Sequence, residues 1–261
     1  MTGATVSFVG AGPGAPDLLT FRAAAAIARA DVVVWAGSLV NEEVLVHARP
    51  GATVRDSSRM TLEEILAVFD QAHAEGRRVA RIHSGDPALY GAIGEQIAHC
   101  QRRGIPWEIV PGVSSLGAAA AAAGIELTVP GVSQSVILTR IGHRTPMPPG
   151  ERLAELARHG ATLALFLWAG RPEAVRAELL EGGLPPDAPC VVVHRASWPD
   201  ERVLRCALAE LPATVRRSRI ARTALLLVGP ALGSVPTRSR LYDAGFGHAF
   251  RRPRREVADG A

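Results

Sequence analysis

Val6-Ser7-Phe8-Val9 followed by Gly10-Ala11-Gly12-Pro13-Gly14 is the stretch on which the fold turns. It is a short apolar run closed by a glycine–proline loop. The same grammar returns at Arg78-Val79-Ala80-Arg81-Ile82-His83, closed by Ser84-Gly85-Asp86-Pro87-Ala88-Leu89-Tyr90-Gly91. It returns again at Trp107 to Val110, closed by Pro111-Gly112-Val113-Ser114-Ser115. Glycine lets a backbone approach a ligand closely and proline fixes φ, so such loops form rigid, concave main-chain surfaces. Neither of the first two has the composition of a phosphate cradle. The first two together suggest a neutral or zwitterionic adenosyl ligand read mainly by backbone groups.

Between these loops the chain alternates strand and helix. Thr20 can cap a helix over Phe21 to Ala30, and Asp31 to Trp35 is a second buried strand. Thr61-Leu62-Glu63-Glu64 is a capping box opening a helix to about Glu75. Gly91 to Arg103 has helical period and Gly104 ends it. Ser114 caps an alanine-rich helix to about Ala123. This alternation predicts an α/β fold, with a mostly parallel sheet and helices on both faces. After a break at Leu127 to Val132, a second alternating block begins. Its expected strands are Ser135 to Arg140, Leu163 to Trp168, Cys190 to His194, Arg202 to Cys206 and Thr223 to Val228. Its expected helices are Glu151 to Arg158, Pro172 to Leu180 and Leu208 to Arg216. The expected organisation is therefore two α/β domains, 1–133 and 134–235, with the cofactor cleft between them. A basic, flexible tail is expected over 236–261, including the run Arg251-Arg252-Pro253-Arg254-Arg255.

Composition narrows the chemistry. All 29 basic residues among the 261 are arginine, and the net charge is +4. Without lysine there is no Schiff-base chemistry and no lysine-dependent P-loop. Arginine forks suit carboxylates and phosphates. Cys100, Cys190 and Cys206 are scattered, which points to a reducing compartment and no disulfide framework. No Cys/His cluster has metal-ligand spacing, so no metal site is expected. The N-terminal residues lack the pattern of a signal peptide, and the longest apolar runs are too short to span a bilayer. The expectation is a cytoplasmic protein with no membrane partner.

Gly10, Gly12 and Ala15 satisfy a dinucleotide fingerprint in form. The strand that would carry the ribose-binding acid ends instead in Val34-Trp35-Ala36-Gly37, and Pro13 and Pro16 would disrupt a helix start at a pyrophosphate. Asp86 sits on a rigid turn at a strand's C-terminal end. It can line a ligand site or cap its own backbone as an Asx-turn, and the two roles are compatible.

The segments VGAGPGAPDLLT, SGDPALYG and VPGVSS, in this order and spacing, resemble the tetrapyrrole (class III) S-adenosylmethionine methyltransferases. The resemblance runs from Thr5 to about Gly233. Trp35 to Asn41, Leu138-Thr139-Arg140 and His194 to Glu201 are similar to the members that methylate C11 of precorrin-4 in cobalamin synthesis. The resemblance implies a homodimer binding S-adenosylmethionine and a tetrapyrrole. It implies cofactor contacts at Pro13, Ser84, Gly85, Asp86, Leu89, Ser114 and Ser115. In the second half it implies Leu167 or Trp168, and Cys206 through its backbone. Where the family often has methionine near Trp168, this chain has none.

The implied substrate carries acetate and propionate groups, for which Arg59, Arg140, Arg144, Arg171 and Arg195 are candidate partners; His143 and His194 are candidate polar contacts. C11 of such a ring is enamine-like and the sulfonium methyl is already activated, so alignment is expected to dominate and no single acid or base is singled out. Whether the macrocycle carries cobalt stays open. An RNA methyltransferase of the same superfamily is the alternative, favoured by positive charge; the chain lacks a basic patch interleaved with aromatics, so no nucleic-acid partner is expected. A non-catalytic nucleotide-binding module is the third reading.

Overall fold

Strands β1 (Val6–Gly10) and β4 (Val79–His83) are buried at every residue. That is the mark of strands with parallel neighbours on both sides and helices over both faces. The computed structural model describes residues 6–142, 145–233 and 239–253. β2 (Val32–Trp35), β3 (Thr53–Asp56) and β5 (Trp107–Val110) complete a sheet of order β3-β2-β4-β1-β5. Every pair in it is parallel, as expected.

One face of this sheet packs Phe8, Val34 and Val79 against Ile65, Val68 and Phe69 of α2 (Leu62–Ala74) and Cys100 of α3 (Gly94–Arg103). Phe8 and Phe69 meet edge to face, with ring centroids 6.1 Å apart. The other face packs Val9, Val33 and Ile82 against Ala23, Ala26 and Ile27 of α1 (Phe21–Arg29). Small alanines there let the helix approach the sheet. The Thr20 hydroxyl accepts the Ala23 N–H, capping α1. The capping box at Thr61 and Glu64 forms with both reciprocal bonds. Ser114 caps α4 (Ser115–Ala123), which ends at left-handed Gly124.

The second sheet has order β6-β7-β10-β8-β9. Its strands are β6 (Val136–Arg140), β7 (Thr162–Phe166), β8 (Pro189–His194), β9 (Arg202–Ala207) and β10 (Ala224–Val228). β6 runs parallel to β7, and β10 antiparallel to it. The accompanying helices are α5 (Leu153–Ala157), α6 (Pro172–Glu181) and α7 (Leu211–Arg217).

Differences from the sequence expectation have local causes. β3 is exposed at all four residues and carries Arg55 and Asp56, so no hydrophobic pattern announced this edge strand. α3 begins at Gly94 because Tyr90 and Ala92 are left-handed (φ 58° and 49°) and the turn folds back onto Pro87. β7 stops at Phe166 because Leu167 is left-handed (φ 54°). α7 starts at Leu211, after a 3₁₀ turn over Leu208–Glu210.

The chain divides into two compact units that are not contiguous in sequence. The first comprises the described residues up to 124 with 192–204 and 218–225; the second comprises those of 125–191, 205–217 and from 226 onward. The boundary expected near residue 133 falls between α4 and β6. No helix among the described residues is long and apolar enough to cross a membrane. Within the expected tail, residues 239–253 fold around Arg251, whose Nη2 donates to the carbonyls of Leu241, Asp243 and Phe246. Arg254 and Arg255 lie outside the described residues.

Candidate active site

Parallel strands bring their C-terminal ends to one edge, so the loops after β1, β4 and β5 meet in the first unit. Gly12 and Gly85 pair as a two-residue antiparallel bridge: Gly85 N–H donates to Gly12 O (2.8 Å) and Gly12 N–H to Gly85 O (3.2 Å). Gly10 and Gly112 press against the same point. A Cβ on Gly10 would lie 2.6 Å from Gly112 Cα and 2.7 Å from Gly85 O. A Cβ on Gly112 would lie 2.1 Å from Gly85 O. Only glycine permits this approach. Asp86 ties the junction: Oδ1 accepts Ala88 N–H (2.8 Å) and Oδ2 accepts Gly112 N–H (2.9 Å). It is thus an Asx-turn whose second oxygen crosses to the neighbouring loop.

Pro13 and Gly85 are buried, while Ser84, Asp86, Leu89, Ser114 and Ser115 are half-buried. The structure brings all seven to this edge of one unit. A Cβ on Gly85 would meet only Ser115 N, at 3.8 Å, so the space beside Gly85 opens onto the first turn of α4. The Gly85 main chain and the first turn of α4, capped by Ser114, border that space. Main-chain N–H groups at a helix N-terminus suit an anionic group such as the carboxylate of an adenosyl amino acid.

Two further segments fix the first loop. Asn41 Nδ2 donates to Gly14 O (3.1 Å). Trp198 Nε1 donates to Pro13 O (3.0 Å), and Ser197 Oγ accepts Ala15 N–H (3.0 Å). Arg195 stacks on Trp198, its guanidinium carbon 4.2 Å from the ring centroid, and its Nε lies 2.7 Å from Asp200 Oδ1. Arg195 N–H donates to Thr223 O. Asn41, Ser197 and Trp198 were not foreseen as functional, although they lie in two of the three segments whose resemblance was narrowest. No spacing rule finds contacts between residues 182 and 185 positions apart.

Beneath the loops lies a polar cluster that the sequence did not reveal. Arg81 donates to Gln96 Oε1 (3.3 Å) and Ser57 Oγ (2.9 Å), and burial lowers its pKa to about 10, leaving it charged at neutral pH. His83, 5% exposed, is pushed down to about 3 by burial and then by the Arg81 charge, so it is neutral. Its Nε2 is buried with no hydrogen-bond partner. Nearby, Asp56 is held below the usual carboxylate range chiefly by the Ser58 N–H and hydroxyl; it also accepts Gly37 N–H (3.0 Å). Arg59 is exposed beside it.

The remaining candidates belong mostly to the second unit. Leu167 is exposed with left-handed backbone, and Trp168 is fully buried. Cys206, in β9, is half-buried, and burial raises its thiol pKa. Arg140 donates to the carbonyls of Thr145 (3.0 Å) and Pro146 (3.1 Å), and Arg171 to that of Gly142 (2.6 Å). These two arginines therefore hold the loop after β6. His194 is half-buried, its pKa lowered first by burial and then by Arg202. His143 and Arg144 lie outside the described residues.

The chain belongs to the tetrapyrrole (corrin/porphyrin) methylases, whose family model matches residues 5–212. It is similar to the cobalt-precorrin-4 C(11)-methyltransferase of Methanocaldococcus jannaschii, with 46% identity over 248 residues, 95% of this chain and 96% of that protein. It is 49% identical to the precorrin-4 C(11)-methyltransferase of Mycobacterium tuberculosis over 229 residues, 87% of this chain and 91% of that protein. Among solved structures, an X-ray structure of a cobalt precorrin-4 methyltransferase superposes with a TM-score of 0.85 at 44% identity, covering 87% of this chain and 95% of that one. The uroporphyrin-III C-methyltransferase of Thermus thermophilus, complexed with S-adenosyl homocysteine, matches with a TM-score of 0.73 at 32% identity, covering 88% and 99%.

Proposed function

We propose that this chain transfers a methyl group from S-adenosylmethionine to C11 of precorrin-4, giving precorrin-5, in cobalamin biosynthesis. The observation that carries the reading is the main-chain floor made where Gly10, Gly85 and Gly112 meet, in a chain so similar to proteins with that activity. S-Adenosylmethionine supplies an activated methyl on a sulfonium. Pro13, Ser84, Gly85, Asp86, Leu89, Ser114 and Ser115 bind and orient the donor; Arg59 and Arg195 meet substrate carboxylates. C11 attacks the methyl carbon, the C–S bond breaks with its electrons on sulfur, and the ring later loses a proton. Neither reactant needs a strong protein nucleophile, so alignment dominates, and it can supply roughly 7–11 kcal/mol of a barrier.

Relatives named for both the cobalt-containing and the metal-free substrate have nearly equal identity, so cobalt-precorrin-4 is the second reading. The proposed active form is a cytoplasmic homodimer, for which sedimentation is expected to give twice the 27.5 kDa chain mass. The deciding assay offers precorrin-4 and cobalt-precorrin-4 separately with methyl-labelled donor and reads mass and methyl position. One label at C11 of either substrate is expected. A methyl elsewhere on the ring, or binding of NAD in place of S-adenosylhomocysteine in calorimetry, overturns the assignment.

A further inference from the structure

Three successive positions of the first glycine loop are held by side chains from outside it. Trp198 holds the Pro13 carbonyl, Asn41 the Gly14 carbonyl and Ser197 the Ala15 N–H. Trp198 does more than donate. A Cβ on Gly14 would lie 2.2 Å from both Cδ1 and Nε1 of the indole, so the ring lies directly against the Gly14 main chain. The segment that presents it is strained. Arg195 and Ser197 are left-handed (φ 52° and 67°) although neither is glycine. Such conformations persist where surroundings enforce them, and they cluster at functional sites. The enforcing contacts are visible: Ser197 N–H donates to Glu201 Oε2 (2.6 Å), Trp198 N–H to Arg195 O (3.0 Å), and Arg195 covers the indole.

We infer that Trp198 is a positioning residue for methyl transfer: its indole sets the first glycine loop, and through Pro13 and Gly14 it sets the seat of the methyl donor. The inference rests on the methyl-donor reading above. Trp198 need not touch donor or substrate. Its effect passes through the loop, so it falls on donor affinity while the chemical step is preserved.

The test uses the full chain with S-adenosylhomocysteine as probe. Trp198→Phe keeps a ring face against Gly14 and deletes the bond to Pro13. It is expected to bind the probe about tenfold more weakly, the scale of one lost hydrogen bond. KM for the donor should rise to match, with kcat within about threefold and melting within a few degrees of wild type. Gly14→Ala, which drives a methyl into the indole, is expected to weaken the probe at least as much. Adding Trp198→Leu to Gly14→Ala should restore part of that loss, because the clash is removed. Wild-type affinity in Trp198→Phe, or additive losses in the double variant, overturns the inference. If Trp198→Phe melts far below wild type, the Gly14→Ala pair decides alone. Failure of the wild-type protein to bind the probe defeats the donor reading instead, so the two failures are distinguishable.

Discussion

Gly112→Ala tests whether the three-glycine junction is the floor of the site. The φ of Gly112 is not left-handed, so alanine is conformationally acceptable there and only space opposes it. The new methyl would sit 2.1 Å from Gly85 O and 2.7 Å from Gly10 Cα. Favourable carbon contacts lie at about 3.5–4.0 Å, so the loops have to part by roughly 1 Å. Both obstacles are backbone, which no rotamer change can relieve. Overpacking of this kind costs about 1–3 kcal/mol. Parting the loops also weakens the Gly12–Gly85 bridge and the Asp86–Gly112 bond, each contributing about 0.5–1.5 kcal/mol. The expected loss is about 3–5 kcal/mol, which at about 2–4 °C per kcal/mol is a fall in Tm of about 10 °C. The matched control is Gly117→Ala, five positions on, inside α4 with no atom within 4 Å of the new methyl. It is expected to stabilise by about 0.5–1 kcal/mol. Calorimetric melting at one scan rate and S-adenosylhomocysteine titration read both variants. A Gly112→Ala protein that melts with wild type and binds the probe normally refutes the junction as the floor.

Asp86→Asn turns one of the two acceptors into a donor facing an N–H, so about 1–3 kcal/mol of stability and at least tenfold in probe affinity should go; titration beside melting checks both. His83 binds its proton near pH 3 when folded and near pH 6.5 when unfolded, so the unfolded chain takes up more protons between those values and stability falls as pH drops through that window. From pH 7 to pH 5 this group alone removes about 2 kcal/mol. Urea midpoints at the two pH values should differ less in His83→Phe than in wild type, and equal differences would show that His83 is not the responsible group. Arg59, exposed and near Asp56, should act on the substrate alone: Arg59→Gln is expected to raise KM for the macrocycle several-fold with probe affinity unchanged.

What could be read from the sequence follows the range of the forces involved. The strand–loop–helix units around Gly10, Gly85 and Gly112 were legible because each is local: an apolar run, a loop and a cap within some fifteen residues. The capping box at Thr61 and the caps at Thr20 and Ser114 formed as their residue types require. β3 was illegible because its stability comes from pairing with β2 and leaves no buried face to pattern. Arg81 and His83 read as ordinary members of a strand. Only the packed fold shows that both are buried, with one charged and the other neutral. Arg140 and Arg171 looked like ligand arginines because their side chains suit carboxylates, but a guanidinium serves a loop carbonyl equally well, and here the nearest acceptors are carbonyls.

The Trp198 contact marks the same limit at longest range. Gly14 gives no local sign that an indole lies against it; the requirement for glycine appears only when a residue from 184 positions later is brought to its Cα. Local grammar therefore supplies the loops of the site, and distant side chains fix their geometry. Those side chains, Asn41 and Trp198, lie in two of the three segments that resemble the precorrin-4 methylating members. Exchanging Trp198 should therefore alter the fit of the donor without altering which bond is made.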